Sequence, residues 1–550
     1  MPAQELIFVS GDLEVTVGAA GFPVRVRCAG RPGQDYFAAQ YEPGPLIMDG
    51  RPQRWEPVGL VTDVDETEAR YALVDHPELE YTVRNSFAGH WQQRHMLVNT
   101  SSATIVVDRW QLALAPAPGC LGWGSAIGGD ATWAVQPTDG QGPLVFGELV
   151  QGSVTELVAG DEPGVATGTI VLSANRRIVL QWRIDTAADT ASIARTRQPV
   201  LSGRTDLGLN QAFEVADPDS AVVSEDPVMV STEGDLQVLT SDRAGRYPVE
   251  LRSGRGTTVL DLAWVPGADE LVATLSRTWL DHRSGAGIGV IPGPGAALGL
   301  QQAVIGRLTD EVDDAEDALA LHTGRLLDRP EISIMDQAYL AQESVRTGDP
   351  EPLRRARSAF LEIDRPEPGV GLAATRICLA ELALGGSPAE VIGRLQEIAR
   401  AAAPDDGDHG DRGHGDRGHG GRDHGAEDDL VRAAAWLELI TVTGPSAGQT
   451  SDSAIRHALA VGAGLGSGLP GARIGTTPPG VTCYAAAVLD LLPDRFGSEL
   501  EQRWGMTAHT LADQARTSAL AAALFPKGPD PTPNDLDQTI GWVVLGKPIE

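Results

Sequence analysis

Four carboxylates fall in Ala/Leu-rich sequence with helical spacing: Asp336, Glu343, Glu381 and Glu438, the last two residues from Trp436. A carboxylate on an otherwise apolar helix is costly unless it is paired or used. Carboxyl pairs are the groups that protonate a glycosidic oxygen and complete its displacement. These four are the candidate catalytic residues. A second set joins indoles to carboxylates. Trp123, Asp130, Trp133 and Asp139 lie in a Gly-rich stretch that reads as an exposed loop system. Indole faces stack on the C–H faces of sugars, and carboxylates accept bonds from their hydroxyls. Trp91, within His90-Trp91-Gln92-Gln93-Arg94-His95, and Trp436 complete the candidate substrate-binding residues.

Other chemistries find little support. The chain has no GxSxG, HExxH or paired zinc motif. Its lysines are Lys527 and Lys547, both near the C-terminus, which disfavours a Schiff-base or phosphate-loop lysine. Asp313-Asp314-Ala315-Glu316-Asp317 spells a DDxxD diphosphate motif, but the downstream partner triad is missing. An acidic helix N-terminus explains it better. Cys28, Cys120, Cys378 and Cys483 are far apart and read as buried thiols. No cofactor or metal is implied. The net charge of −32 disfavours nucleic acid and anionic membrane surfaces, which need clustered cations. The N-terminus has no signal-like pattern and no apolar run is long enough to span a bilayer, so a cytoplasmic location is expected.

The elements that position these residues change character near residue 300. Eight of the eleven tryptophans precede it, amid short β-branched segments. In Arg177–Asp185, Ile178, Leu180, Trp182 and Ile184 alternate with Val179, Gln181, Arg183 and Asp185. Such period-two patterns mark half-buried antiparallel strands. The expected fold is multidomain, β then α. A large antiparallel β-sandwich occupies residues 1–275, with a smaller β unit within 200–275. A Gly/Pro-rich linker follows at 276–300. Antiparallel helix pairs, like an (α/α) toroid though incomplete, fill 301–550. Residues 404–429, with histidines every five positions among Gly and Asp, read as a disordered insertion.

Two phrases carry a family resemblance. One is Met96-Leu97-Val98-Asn99-Thr100-Ser101 followed by Ile105-Val106-Val107-Asp108-Arg109-Trp110. The other is Trp133, Pro137, Asp139-Gly140 and Gly142-Pro143. In these and in its outline the chain resembles glucoamylase-like and maltose-phosphorylase-like carbohydrate enzymes, which join a β-supersandwich to an (α/α) toroid. The resemblance implies a carbohydrate or glycoconjugate ligand, and hydrolase- or phosphorylase-like chemistry between sandwich loops and helices. The helical half is shorter than a full toroid and the family's acid-bearing motif has no match, so no catalytic residue is carried over. The alternative is a non-catalytic glycan-binding or protein-interaction scaffold with a degenerate helical domain.

Overall fold

The computed structural model describes residues 5–125, 128–138, 140, 142–158, 164–188, 192–193, 204–216, 220–254, 256–281, 291–402, 426–444, 449–465, 472–474, 477–493, 496, 500–502, 507–526 and 533–547. Asp139 lies outside them, as do residues 404–425 of the His-rich insertion and 282–290 of the expected linker. Antiparallel β-sheets come first and a helical region follows, as the sequence pattern predicts. The chain divides into two compact units. The first is Met1–Trp264 with Gly466–Thr477, and the second is Val265–Leu465 with Pro478–Glu550.

The first unit is built on a nine-stranded antiparallel sheet. Its strands lie in the order Ala472–Ile474, Cys120–Ser125, Thr132–Pro137, Leu144–Gln151, Arg177–Ala187, Trp91–Asn99, Leu79–Ser86, Glu66–Leu73 and Trp55–Thr62. Smaller sheets complete the sandwich, among them a five-stranded sheet containing Arg109–Ala113 and a three-stranded sheet containing Leu13–Val17. Strand alternation gives the large sheet one apolar face. Trp91, His95 and Leu97 share it with Leu180, Trp182, Ile184, Trp133 and Val135, all buried. The apolar members pack in one core with Leu13, Val26, Trp110 and Leu112 of the smaller sheets. Trp133 lies edge-on to Phe37 at 5.4 Å.

Residues 206–264 form a separate β module in the same unit. A four-stranded and a three-stranded sheet enclose Leu207, Phe213, Leu239, Val249, Leu260, Leu262 and Trp264. The Gly-rich stretch around residue 128 leans on this module. A Cβ at Gly128, whose φ is 119°, would stand 2.5 Å from the Thr257 carbonyl. Asp130 accepts a 3.1 Å hydrogen bond from the Thr258 hydroxyl. The stretch is therefore not the exposed loop system that its glycines suggest. Cys120–Ser125 and Thr132–Pro137 pair as a buried hairpin, because Leu121, Trp123, Trp133 and Val135 alternate through it.

In the second unit the first helix, Ala268–Asp281, begins where the sequence reads as strand and linker. Leu271, Val272 and Leu280 bury its inner face. Pro294–Ile305, which begins inside the expected linker, and Val312–Asp328 come next. The break falls at Gly306 and at Arg307, whose φ is 54°. Ile334–Thr347, Pro350–Leu361, Val370–Ala383, Ala389–Ala402, Ala426–Thr443, Gln449–Leu465, Pro479–Asp490, Ala508–Leu524 and Pro533–Leu545 follow. Sequence neighbours such as Ile334–Thr347 and Pro350–Leu361 pack on each other.

The sheet core gives a direct stability test. A Cβ at Gly147 would stand 2.3 Å from the Trp133 indole. Gly147→Ala is expected to cost about 1–3 kcal/mol through overpacking, measured by denaturant unfolding.

Candidate functional site

The four helical carboxylates are all buried, and each is held by groups of its own unit. Glu438 is fully buried. Its Oε1 accepts from the Leu372 N–H at 2.7 Å, and its Oε2 from the Gly369 N–H at 3.0 Å and the Tyr484 hydroxyl at 2.5 Å. Its carboxyl thus caps the N-terminus of Val370–Ala383 from a neighbouring helix, where the unpaired N–H groups and the helix dipole favour an anion. Burial pushes its pKa up to about 7 against these bonds. Asp336 caps its own helix. It accepts from the Ser333 N–H at 3.0 Å and hydroxyl at 2.8 Å, and Ser333 accepts from the Asp336 N–H in return. Glu343 takes two bonds from Arg346, at 2.7 and 2.9 Å, and one from Gln301 at 2.8 Å. Glu381 accepts a 3.4 Å bond from Arg357. Trp436 is half-buried, with its ring 5.9 Å from His457. Residues two apart on a helix do not face each other, so it does not share Glu438's environment.

Asp537 escapes a search for apolar-helix carboxylates, yet it does the same work. It accepts from the Gly295 and Ala296 N–H groups at 3.2 and 2.7 Å, capping Pro294–Ile305. Asp313, Asp314 and Asp317 are exposed on the first turns of Val312–Asp328. A cleft of about 280 Å³ is walled by Ala374, Leu379, Ile392, Leu395 and Val442. The hydroxyls of Thr375 and Thr443, which also line it, bond to carbonyls of their own helices at 2.8 and 2.7 Å. These walls suit hydrocarbon rather than sugar.

In the first unit the structure separates the tryptophans. Trp91 and Trp133 belong to the sandwich core, and the Trp91 indole donates to Asn85 at 3.1 Å. Trp123 lies on the opposite face of the large sheet, because it pairs with Ala134, which belongs with Phe146 and Ile193 to a buried apolar cluster separate from the sandwich core. That face carries a cross-strand row that sequence spacing does not show. Thr132 pairs with Glu148, Glu148 with Arg183, Arg183 with Gln92, and Gln92 with Ser86. Paired residues share a face. Arg183 bonds Glu148 at 2.6 Å. Asp185 stands on the same strand and face as Arg183, 3.8 Å from His90. Since Phe146 pairs with Asp185, the carboxylates of Glu148 and Asp185 are diagonal neighbours on adjacent strands. The row grades from open to closed. Side-chain exposure is 42% at Arg183 and 12% at Glu148, while Thr132 is 3% exposed. Glu148, Arg183 and Asp185 are the residues missed by motif reasoning. The polar half of the Arg177–Asp185 alternation marks Arg183 and Asp185, and no motif marks Glu148.

The core face holds one further polar pair. The Tyr81 hydroxyl lies 2.6 Å from His95 Nδ1, beside a cavity of about 30 Å³. Burial lowers the His95 pKa to about 3 and raises that of Tyr81 well above its usual value. The pair has the residue types of a proton-transfer couple, but the cavity has room for about one water and not for a sugar. Among the described residues no group of three or more His, Cys, Asp or Glu is placed to hold a metal ion.

No protein-family model and no curated protein matches this chain. Among solved structures it is similar to a polysaccharide lyase. The TM-score is 0.62 at 10% identity, and the match covers 96% of this chain and 93% of that one. At that identity the likeness is one of fold.

The Glu438 cap has a pH signature. Its carboxyl holds its proton to a higher pH in the folded chain than the ordinary 4.5. Its contribution to stability is therefore full below about 4.5 and is lost as pH rises through about 7. The Tyr484 bond favours the charged form, so Tyr484→Phe raises that pKa further. Thermal or denaturant melts should show a deficit of about 1 kcal/mol near pH 5 that grows to about 2–3 kcal/mol above about pH 8. A deficit that does not change with pH contradicts the assignment.

Proposed function

We propose that this protein is carbohydrate-active, and that it contacts a polysaccharide on the polar face of the nine-stranded sheet. The observation that carries the reading is the fold likeness to a polysaccharide lyase along nearly the whole chain. The sheet face supplies the chemistry: an indole, hydroxyl and amide groups, and two diagonal carboxylates, Glu148 and Asp185. Diagonal cross-strand residues lie about 7–8 Å apart, their Cβ atoms somewhat closer, and carboxyl separations of about 5–9.5 Å serve retaining or inverting glycosidases. In this reading one carboxyl protonates the leaving glycosidic oxygen. The other activates water, attacks the anomeric carbon, or yields that role to phosphate. The chemistry is thus that of a glycoside hydrolase or phosphorylase. Asp336, Glu343, Glu381 and Glu438 would each have to release a structural partner to take part.

A second reading is binding without turnover, as a glycan-recognition scaffold. The engagement of Glu148 by Arg183 and of the helical carboxylates by caps and ion pairs favours it.

One experiment separates these readings. The protein is incubated with neutral and uronate-containing polysaccharides, with and without inorganic phosphate. New reducing ends, sugar 1-phosphates and unsaturated uronyl products are assayed, and binding is followed by calorimetry. Hydrolysis or phosphorolysis is expected, with a fall of about 10²-fold or more in Glu148→Gln. Binding without product supports the scaffold. Unsaturated products alone assign elimination instead. Neither binding nor product from any polysaccharide overturns the proposal.

A further inference from the structure

We propose that Arg94, flanked by Arg84 and Arg183 on the open part of the large sheet's polar face, binds one oxyanion: a carboxylate or sulfate borne on a sugar chain, or free inorganic phosphate. The site rests on the reading above only where the anion belongs to a sugar. Strand alternation puts Gln92 and Arg94 on the face away from Trp91, His95 and Leu97, which are buried. Arg94 stands directly opposite Arg84 on one side and Gln181 on the other. Since Gln92 pairs with Arg183, Arg183 is a diagonal neighbour of Arg94. Three arginines therefore adjoin across three strands, in a chain whose net charge is −32.

Two of the three have a carboxylate. Arg84 bonds Glu66, and Arg183 bonds Glu148 at 2.6 Å. Glu68, which stands opposite Arg84, is held by Arg70 at 2.7 and 2.9 Å. The amides of Gln92 and Gln181 bond each other at 3.1 Å. Arg94 is left over. Among the described residues its guanidinium makes no hydrogen bond or ion pair, and its Nε is closed to water without a partner. Like charges directly opposite each other destabilise a sheet. A guanidinium partly withdrawn from water has also lost hydration without gaining a counter-charge. A neutral hydroxyl accepts a bond from such a group and leaves the charge in place, whereas an oxyanion does both jobs. The terminal amino groups of Arg94 remain for it, and the arginine fork matches the oxygens of a carboxylate, sulfate or phosphate. Arg84 spends Nε and Nη2 on Glu66, and Arg183 spends Nη2 on Glu148, so each keeps Nη1 uncommitted beside Arg94.

Calorimetry on the full chain tests the site with four probes: inorganic phosphate, hexagalacturonate, a heparin hexasaccharide and neutral cellohexaose. Each is run at about 20 and about 200 mM salt, since partly exposed charges are screened. At least one anionic probe is expected to bind, more weakly at the higher salt. Arg94→Gln is expected to weaken that binding about tenfold or more. Arg94→Lys, which keeps the charge without the fork, is expected to weaken it less. Arg70→Gln, whose guanidinium is already engaged by Glu68, is expected to bind as wild type. The melting temperature of Arg94→Gln is expected to hold or rise, because a like-charge contact is removed. Binding of an anionic oligosaccharide but not of phosphate assigns the anion to the sugar chain. Phosphate bound without any oligosaccharide supports the site and counts against the carbohydrate reading. Cellohexaose bound while no anionic probe binds overturns the site and leaves the proposed function standing. Anion binding that Arg94→Gln leaves unchanged, or that Arg70→Gln weakens equally, overturns the site. No binding of any of the four probes overturns the site and counts against the carbohydrate reading as well.

Discussion

A polar group taken out of water must find a partner, and this requirement sorts the buried chemistry of the molecule. In the helical unit the four buried carboxylates have their partners. Glu438 and Asp537 each reach from one helix to the free N–H groups at the start of another. The contact fixes where the two helices meet. Glu438 makes Gly371 obligatory as well, since a Cβ there would stand 2.9 Å from the Glu438 side chain. Glycine at 295 answers the same need beside Asp537, whose carbonyl would meet a Cβ at 1.7 Å. Glu438, which looks like an acid catalyst in sequence, thus also fastens one helix to another.

The sheet of the first unit meets the requirement differently. Strand alternation sends Trp91, His95, Trp133 and Trp182 into the sandwich and leaves their neighbours on the other face. Toward Gln92 and Arg183 those neighbours are open to water. Toward Thr132 and Gln136 they are buried without partners. The stability cost of such groups is borne by the large core behind them, which ties the exposed chemistry to the packing of that core.

The order of β before α was legible because period-two and helical patterns hardly overlap in this chain. The faces of Arg177–Asp185 could be read directly from its alternation. Trp123 was singled out from its type and neighbours, but its side of the sheet depends on pairing with Thr132–Pro137, which the glycines around it disguised as loop. Glu148 carries no motif, and the partner that marks it, Arg183, lies 35 residues away. The roles of the helical carboxylates were equally hidden. Glu438 meets Gly369 across 69 residues, and burial on an apolar helix looks the same in sequence for a cap as for a catalyst.

Hydrogen-exchange mass spectrometry of the full chain, with and without a bound oligosaccharide, tests the central claim most directly. Protection is expected in peptides covering Cys120–Ser125, Thr132–Pro137, Leu144–Gln151 and Arg177–Ala187, whose side chains make up the sheet face. Peptides from Ile334–Thr347, Val370–Ala383 and Ala426–Thr443 are expected to change less. Protection concentrated in those three helices, with the sheet strands unchanged, would contradict the account and return the chemistry to the helical carboxylates.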